Sequence, residues 1–219
     1  MRSHSFPTRR SSDLSTLELL LRRGDERSLE IVTATLDGMA AGGFYDVVGG
    51  GFHRYSVDDR WLVPHFEKML YDNALLASAY LHAWVTTGDE RYRRVTEETL
   101  DYVLRELRLP EGGLASAQDA DTDGVEGLTY TWTRAEAEAA GIPEELLEPF
   151  EHGRLVVRGE LEPELRARLL AERASRRQPF RDDKVVASWN GLALAALAEA
   201  GFRLEREDWL ASARSLGEF

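Results

Sequence analysis

The sequence predicts an all-α protein built from helical hairpins, with one short β-hairpin insertion. Apolar residues recur at helical spacing over most of the chain, and short polar or glycine-containing loops separate the segments that carry them. Loops this short make consecutive helices antiparallel neighbours. The helical rhythm breaks in one turn-rich segment that ends in LTYTWT, where apolar and polar residues alternate as they do in a strand.

The composition is that of a globular protein with an acidic surface. Of the 219 residues, 43% are hydrophobic and 30% are charged. The formal net charge of −12 argues against general binding to nucleic acids or to anionic membranes. The absence of cysteine excludes disulfides and thiolate nucleophiles, and it suits the cytoplasmic location that we expect.

Residues 1–14 are expected to be a non-native or disordered leader before a domain at residues 15–219. HSFPTRRSSDL, residues 4–14, is rich in Arg and Ser, as targeting peptides are, and has no apolar period. One set of codons for it resembles a common sequencing adapter. We therefore hypothesise that an adapter was translated onto a truncated gene, so that the authentic sequence begins near Ser15. A different codon choice in the gene would contradict this origin.

The first half of the domain predicts four helices. Ser15 to Glu18 form a capping-box pattern before LELLLRR, and ERSLEIVTATLDGMAA continues with apolar residues at helical spacing until Gly42. A third helix is expected from about Pro64 to Thr87. It is apolar on most of its circumference and should be buried on more than one side. A fourth helix follows Asp89.

The second half begins with the strand-like insertion and then returns to helices. A second capping box runs from Thr133 to Glu136, and helices are predicted over residues 164–177, 188–204 and 206–218. Because the chain stops at the end of a helix without a polar tail, we expect it to be a fragment of a longer protein.

A first candidate site lies at the start of the predicted third helix. His65, Lys68 and Asp72 would share one face of that helix. Imidazole suits proton transfer near neutral pH, and Lys68 with Arg54 could hold an anionic group. The same spacing is equally typical of a helix whose first turn is capped by His65 and Glu67 and whose Lys68 and Asp72 form a surface pair. Both interpretations stay open.

An acidic loop forms a second candidate. Asp119, Asp121 and Asp123 match the start of an EF-hand loop, but its twelfth position is Tyr130 and not the required Glu, so no calcium site is predicted. A carboxylate from this loop paired with one from the first site could hydrolyse a glycosidic bond. The alternative is a solvated acidic turn.

Other motifs narrow the chemistry. The glycine run 49–51 lacks the GK[ST] of a phosphate loop and the HExxH of a zinc site is absent, so no metal and no cofactor is predicted. Trp189 offers a flat face to a sugar ring, and Asn190 offers a donor and an acceptor. The alternative is a core tryptophan that follows an N-capping Ser188.

Three long motifs in a fixed order resemble one known family. They are GGFYDVVGGGFHRYSVDDRWLVPHFEKMLYDNALL, ASAQDADTDGVEGLTYTWT and RDDKVVASWNGLALAALA. Over roughly residues 28–201 the chain resembles the thioredoxin-domain-containing family that includes the spermatogenesis-associated thioredoxin-like proteins. The resemblance implies a thioredoxin-like domain followed by a six-hairpin (α/α) barrel similar to N-acylglucosamine 2-epimerases and related glycosidases. This chain would correspond to the first part of that barrel, a partial (α/α) six-hairpin toroid with a short β-hairpin insertion.

The resemblance also implies which residues face the central cavity. The expected catalytic residues are His53, His65, Glu67, Asp72, Asp119 and Asp121. The expected substrate-binding residues are Arg54, Lys68, Asn73, Gln118, Asp183, Lys184, Trp189 and Asn190. We expect a glycosidase-like or epimerase-like barrel that binds or transforms a carbohydrate-like small molecule. The alternatives are a non-catalytic binding or scaffold barrel attached to a redox domain, and an inactive gene fragment. The oligomeric state is not indicated by the sequence.

Overall fold

Antiparallel helical hairpins make up most of the structure. A computed structural model describes residues 12–219 of the protein. Within that range the α-helices are α1 (Ser12–Arg23), α2 (Glu26–Ala41), α3 (Leu70–Thr87), α4 (Glu90–Tyr102), α5 (Arg134–Ala140), α6 (Pro163–Ala174), α7 (Ala187–Arg203) and α8 (Glu207–Glu218). α1 packs on α2, α3 on α4 and α7 on α8. This arrangement confirms the predicted all-α fold of (α/α) hairpins.

The hairpins form two layers. α1, α3 and α7 lie side by side, with α3 between the other two, and α2, α4 and α8 pack behind them. α3 is buried on several sides, as its apolar circumference predicts. It ends at Gly88, whose φ of +73° is the left-handed conformation that terminates helices. No helix among residues 12–219 combines the length and hydropathy needed to cross a bilayer.

Short strands occur in the loops between the hairpins. They are β1 (Tyr55–Ser56), β2 (Pro64–His65), β3 (Lys68–Met69), β4 (Ala117–Gln118), β5 (Asp121–Thr122), β6 (Val125–Glu126), β7 (Trp132–Thr133), β8 (Leu147–Pro149), β9 (Arg154–Val157) and β10 (Arg181–Asp182). All their pairings are antiparallel. The sheet β10–β4–β3 joins loops that are distant in sequence, with Lys68, Gln118 and Arg181 in one register row. Because β3 leads directly into α3, this sheet lies at the N-terminal end of that helix.

The predicted start of the third helix is wrong. α3 begins at Leu70, and Pro64–His65 and Lys68–Met69 are strands β2 and β3. The carboxylate of Asp58 accepts hydrogen bonds from the backbone N–H groups of Leu62 and Val63, which folds this segment so that β2 pairs with β1. His65 and Lys68 therefore do not share a helix face with Asp72.

Two predicted caps are also wrong, and a third is confirmed. Ser15 lies inside α1, and α7 begins after Val186 without a side-chain cap, so Ser188 is within the helix. The capping box of Thr133 and Glu136 forms in both directions at the start of α5. The difference is the backbone conformation: Thr133 is the last residue of β7 and is extended, whereas Ser15 and Ser188 lie within helices.

Most of the predicted leader lies outside the described residues. Residues 1–11 are not described, whereas residues 12–14 form the beginning of α1 and Leu14 is buried. The domain boundary stays a prediction.

The β-hairpin insertion exists, but at a different place from LTYTWT. β5 and β6 form the hairpin around Asp123 and Gly124, and β7 pairs instead with β9. Asp123 and Gly124 both have positive φ, at +54° and +75°, which suits a tight two-residue connection. In LTYTWT, Leu128 to Tyr130 lie in a turn, and only Trp132 and Thr133 are extended and pair with β9.

Two asparagines fasten the loops to the helices α3 and α7. Asn73 accepts a hydrogen bond from the backbone N of Phe52 at 2.7 Å and donates to its carbonyl at 3.0 Å. Asn190 does the same to the backbone of Leu114, at 2.8 and 3.0 Å. Both asparagines are buried one turn into their helix and also donate to the carbonyl four residues earlier. Their amide groups thus bind the loop backbones to the two helices.

A charged clasp connects the three helices of the front layer. His82 on α3 contacts Glu18 of α1 through Nδ1 at 2.7 Å and Glu199 of α7 through Nε2 at 3.1 Å. Burial alone would lower the pKa of His82, but the two hydrogen bonds and the carboxylate charges outweigh it and raise that pKa above 6.5. Burial alone would raise the pKa of Glu18 and of Glu199, yet their hydrogen-bond partners hold both pKa values below 4.5.

The hydrogen bonds of Asn73 to the Phe52 backbone predict a large loss of stability when the Asn73 side chain is removed. Asn73→Ala removes three hydrogen bonds and leaves the buried polar backbone groups of Phe52 unpaired, which costs about 2–4 kcal/mol in the free energy of unfolding. Urea unfolding measures this. Ser78→Ala, on the same helix, is the matched control and should change stability by less than ~0.5 kcal/mol. Equal effects of the two substitutions on stability would contradict this role of Asn73.

The clasp at His82 predicts a stability difference that depends on pH. A raised histidine pKa contributes stability that is fully present below 6.5 and is lost as pH rises through the folded value. The lowered glutamate pKa values contribute stability that is present above 4.5 and is lost as pH falls. The stability difference between wild type and His82→Gln should therefore be greatest between pH 4.5 and 6.5. Urea midpoints across pH measure it, and the exposed His152→Gln is the control.

Candidate functional site

Polar residues gather on the two sides of the chain that runs into α3. Glu67 directly precedes β3, whose first residue is Lys68, and their side chains have different partners: Glu67 pairs with Arg54, and Lys68 pairs with Asp46. The side of Glu67 is partly exposed, and the side of Lys68 is buried. The two groups differ in what they can do.

The partly exposed group, which we call the mouth cluster, lies beside the N-terminal end of α3. It consists of Arg54, Tyr55, His65, Glu67, Tyr71, Glu126 and Trp189. β1 and β2 place Tyr55 opposite His65, the hairpin β5–β6 brings Glu126, and the helices α3 and α7 bring the other two aromatic residues. Residues that are more than 100 positions apart in the sequence meet in this cluster.

His65 is held in a defined orientation within the mouth cluster. Its Nδ1 lies 2.7 Å from a carboxylate oxygen of Glu126, and its ring stacks on Tyr55 with centroids 4.8 Å apart. When Nδ1 carries the proton and donates to Glu126, Nε2 is left as a free base. Nε2 lies 3.8 Å from Glu67, and the His65 side chain is 26% exposed, so a ligand can reach it.

Arg54 fixes the second carboxylate of the mouth cluster. Its guanidinium donates to Glu67 at 2.6 Å, and the Arg54 backbone N also donates to the Glu67 carbonyl at 2.7 Å. The hydrogen bond to Glu67 is the main cause of the raised pKa of Arg54. Next to this pair, the rings of Tyr71 and Trp189 lie 4.8 Å apart. The mouth cluster thus combines a base, two carboxylates, a cation and an aromatic surface.

The buried group, which we call the charge cluster, consists of Asp46, Lys68 and Arg173. Arg173 donates to both carboxylate oxygens of Asp46 at 2.8 Å, and Nζ of Lys68 donates to Asp46 at 2.7 Å and to the carbonyl of Gly50 at 2.9 Å. Lys68 is wholly buried, with no exposed surface. The carboxylate also accepts from the backbone N of Gly49 at 3.1 Å.

Both sides of the charge cluster stay ionised at neutral pH. Burial alone would raise the pKa of Asp46, but the charges of Arg173 and Lys68 outweigh burial and hold that pKa well below 3.8. Burial lowers the pKa of Lys68 to about 8 against the opposing attraction of Asp46. The glycine run wraps this cluster closely: Gly50 has φ +78°, and a Cβ there would collide with the carbonyl of Glu98.

The expected catalytic residues do not all meet. His53 is buried, donates through Nδ1 to the Phe66 carbonyl at 3.0 Å and packs against Tyr130. Burial, followed by the charge of Lys68, lowers its pKa to about 3, so it is a poor proton donor or acceptor for neutral-pH chemistry. Asp72 is buried in the first turn of α3, where the helix dipole favours a carboxylate. Of these groups, His65 and Glu67 are brought together.

Asp119 and Asp121 of the acidic loop, and Asp183 and Lys184 of the third motif, have partners outside the two clusters or are exposed. Asp119 is exposed and accepts from the backbone N of Ala120, and Asp121 is exposed on β5. Asp183 pairs with Arg181 at 2.6 Å, and Lys184 reaches back to Asp182 at 3.0 Å. Gln118 is buried on β4 beside Lys68. Within residues 12–219, no group of three or more His, Asp or Glu side chains is close enough to hold a metal ion.

Several important residues escaped the sequence prediction. Tyr55 and Glu126 complete the surroundings of His65, and Asp46 and Arg173 complete those of Lys68. Asp46 lies inside the first motif among apolar and glycine residues. A lone carboxylate in such a sequence is a signal that could have marked it as a buried, paired charge. Arg173 lies in an amphipathic helix among other arginines and glutamates, so nothing in its sequence neighbourhood distinguishes it.

The chain has homologues among curated proteins. It is 36% identical to human spermatogenesis-associated protein 20 over 236 residues, which cover 83% of this chain and 30% of that protein. It is 34% identical to the mouse protein of the same name, over 91% of this chain and 32% of that protein. The chain therefore spans about a third of the length of these relatives. No protein-family model matches it.

Solved structures with the same fold are six-hairpin glycosidase and epimerase barrels. A cellobiose 2-epimerase from Bacillus thermoamylovorans matches with a TM-score of 0.61 and 12% identity, over 94% of this chain and 39% of that one. A family 76 glycoside hydrolase from a bovine Bacteroides thetaiotaomicron strain matches with a TM-score of 0.57 and 13% identity, over 94% and 32%. An α-1,6-mannanase variant of Salegentibacter, in complex with α-1,6-mannotriose, matches at 0.54 and 13% identity, over 94% and 43%. At these identities the likeness establishes the fold, an (α/α) barrel arrangement.

The charge cluster predicts a strong effect of removing its one anion. Asp46→Asn leaves Lys68 and Arg173 buried without a counter-charge, which costs about 3–5 kcal/mol in the free energy of unfolding. Urea unfolding of the variant measures this cost. Asp59→Asn, an exposed aspartate on the next loop, is the matched control and should lie within ~0.5 kcal/mol of wild type. A tolerated Asp46→Asn would contradict the role of the cluster.

Proposed function

We propose that this chain forms one wall of a carbohydrate-binding site and that His65 transfers a proton in it. The observation behind the proposal is the mouth cluster itself, in which an oriented imidazole lies 3.8 Å from Glu67 and beside an exposed edge of the fold. The fold relatives named above act on sugars or bind them, which favours a sugar-like ligand over other small molecules. The chemistry that we assign rests on the cluster, since fold alone does not fix function.

Each part of the mouth cluster suits one part of a sugar. The rings of Tyr71 and Trp189, tilted by 54° with centroids 4.8 Å apart, offer an apolar surface to the C–H face of a pyranose. The charges of Arg54 and Glu67 offer donors and acceptors to hydroxyl groups, and their mutual 2.6 Å hydrogen bond keeps both in place before the ligand arrives. Preorganised polar groups lose less entropy when they bind.

His65 is the group that suits proton transfer at carbon. With Nδ1 bonded to Glu126, Nε2 can take the proton from the carbon next to the carbonyl of an open-chain sugar, which leaves an enediolate. Return of a proton from Nε2 to the former carbonyl carbon, while the proton of the neighbouring hydroxyl moves to the former carbonyl oxygen, gives the isomeric sugar with its carbonyl group one carbon along. The reaction class is that of an aldose–ketose isomerase. The proton on Nε2 can exchange with solvent before it returns.

Hydrolysis of a glycosidic bond is the competing chemistry at the same place. It would need Glu67 and Glu126 as an acid and base pair on opposite sides of the scissile bond. Glu126 is already committed to Nδ1 of His65, and Glu67 to Arg54. These commitments favour the histidine mechanism.

A non-catalytic binding barrel uses the same wall without proton transfer. The pairing with a thioredoxin-like domain stays a prediction.

Hydrogen exchange into the sugar tests this function. The chain is incubated in D₂O with a panel of aldoses and disaccharides, and NMR follows both binding and deuterium at the carbon next to the carbonyl. We expect deuterium incorporation with wild type and at least a ~100-fold slower rate with His65→Asn, which keeps a donor near Glu126 but removes Nε2. The control His152→Asn, on an exposed turn, should match wild type.

The outcomes separate the three functions. Binding without deuterium incorporation would support a binding barrel and contradict the proton-transfer role of His65. Release of monosaccharide that survives His65→Asn but not Glu67→Gln would support hydrolysis instead. The absence of binding to every sugar of the panel would contradict a carbohydrate site on this chain.

A further inference from the structure

A small cavity lies on the opposite side of the β3–β4 strands from the mouth cluster. Its volume is about 90 Å³, and its lining combines the ends of α4 and α6 with residues of β3 and β4. The lining residues are Lys68, Tyr102, Arg105, Glu106, Gln118, Tyr130, Leu170, Arg173, Ala174 and Gln178. A cavity of this size can hold a few water molecules or a small ion.

The charged groups around this cavity do not balance. Lys68, Arg105 and Arg173 are cations, and Glu106 and the Asp46 behind them are the anions. Three cations and two anions leave one positive charge. Lys68 and Arg173 are among the most buried charged side chains of the described range, so solvent screens this excess only weakly. Lys68 and Arg173 share the single carboxylate of Asp46, so the buried trio has one positive charge in excess, which a bound anion would balance.

Gln118 directs hydrogen-bond donors into the same cavity. It is 5% exposed, and its Oε1 accepts from the hydroxyl of Tyr102 at 2.8 Å and lies 3.5 Å from that of Tyr130. These two phenols fix the amide so that its Nε2 faces away from them. Among residues 12–219, no protein acceptor is hydrogen-bonded to this Nε2. This donor is accessible in the cavity, where it is left for a ligand or for water.

Lys68 adds a donor from the adjacent strand. Two of its three N–H groups are used by Asp46 and the Gly50 carbonyl, which leaves one. Its Nζ also lies 4.3 Å from the centroid of the Tyr102 ring and 5.0 Å from that of Tyr130, so aromatic faces enclose it. Lys68 and Gln118 are paired in register, and their side chains therefore project to the same side.

The backbone at the far wall is irregular where it supplies Arg105. Residues Val103–Leu107 form a π-helical turn at the end of α4, a conformation that is rare and is frequently found at functional sites. The turn carries Arg105 and Glu106 to the cavity, and Arg105 donates to the carbonyl of Gly49 at 2.6 Å. The arginine is thus anchored at the rim, with about a third of its side chain exposed.

We infer that this cavity is a binding site for a small carboxylate anion, separate from the mouth cluster. One negative charge matches the excess of one cation, and two carboxylate oxygens match the donors of Gln118 and Lys68. Arg105 at the rim provides the attraction for the incoming anion. The site does not depend on sugar binding at the mouth cluster, so either function can fail without the other.

Titration of the chain with acetate tests the site. Calorimetry or NMR at constant ionic strength, with chloride as the reference anion, should show saturable binding of acetate to wild type. D-glucuronate is a second arm that shows whether the carboxylate of a larger molecule also fits, and inorganic phosphate is a third arm that tests the preference for carboxylate. Tighter binding of phosphate than of acetate would overturn the assignment of a carboxylate.

Two substitutions probe the cavity itself. Gln118→Glu keeps an oxygen acceptor for Tyr102 but replaces the amide donor by a negative charge, and it should weaken acetate binding at least tenfold. Arg105→Met removes a cation at the cavity rim, which lowers the net charge around the cavity from one positive charge to zero, and it should weaken acetate binding by a similar factor. Arg108→Met, an exposed arginine near the same turn that does not line the cavity, is the control and should bind as wild type.

Two results would contradict the proposed anion site. If acetate binds no better than chloride, or if Arg105→Met binds acetate as wild type does, the cavity is not an anion site. Circular dichroism shows whether each variant is folded. If Gln118→Glu does not fold, acetate binding by Arg105→Met decides whether the cavity is an anion site.

Discussion

The ion pairs of Asp46 are the constraint on which the rest of the structure depends. One buried carboxylate holds the glycine-rich loop, strand β3 through Lys68 and helix α6 through Arg173. Burying one member of this group without the others would cost several kcal/mol, so the loop, the strand and the helix must assemble together. The glycines fit the same requirement, because side chains at Gly49 or Gly50 would collide with Arg173 or with the backbone of Glu98.

This anchoring explains why the mouth cluster is well defined although it is partly exposed. Lys68 is fixed inward by Asp46, and Glu67, the residue before it, pairs with Arg54 and lies near His65. The hydrogen bonds of Asn73 and Asn190 to loop backbones fix the positions of α3 and α7 in the same way. The first turns of these helices carry Tyr71 and Trp189. The candidate sugar site and the candidate anion site thus lie on the two sides of one strand segment.

Sequence patterns predicted the helices well and the segment between them poorly. α2 matches its predicted residues because apolar spacing and the cap at Asp25 act locally. The start of α3 was misplaced because Pro64 is as acceptable in a strand end as in a first helical turn, and only pairing of β2 with β1 decides between them. The predicted helix face of His65, Lys68 and Asp72 failed for the same reason. His65 and Glu67 do lie together, but their partners Tyr55 and Glu126 come from pairings that no local pattern encodes.

The sequence by itself determined that this protein is a set of helical hairpins with an acidic surface and a polar, aromatic segment between the second and third helices. It also pointed to the (α/α) barrel fold through three motifs. The tertiary structure alone decided the environment of each polar side chain: His53 is buried and neutral, His65 is oriented and accessible, and Lys68 is paired in the core. The physical reason is that protonation and hydrogen bonding depend on burial and on neighbours within a few ångströms, and those neighbours are up to 127 residues away along the chain.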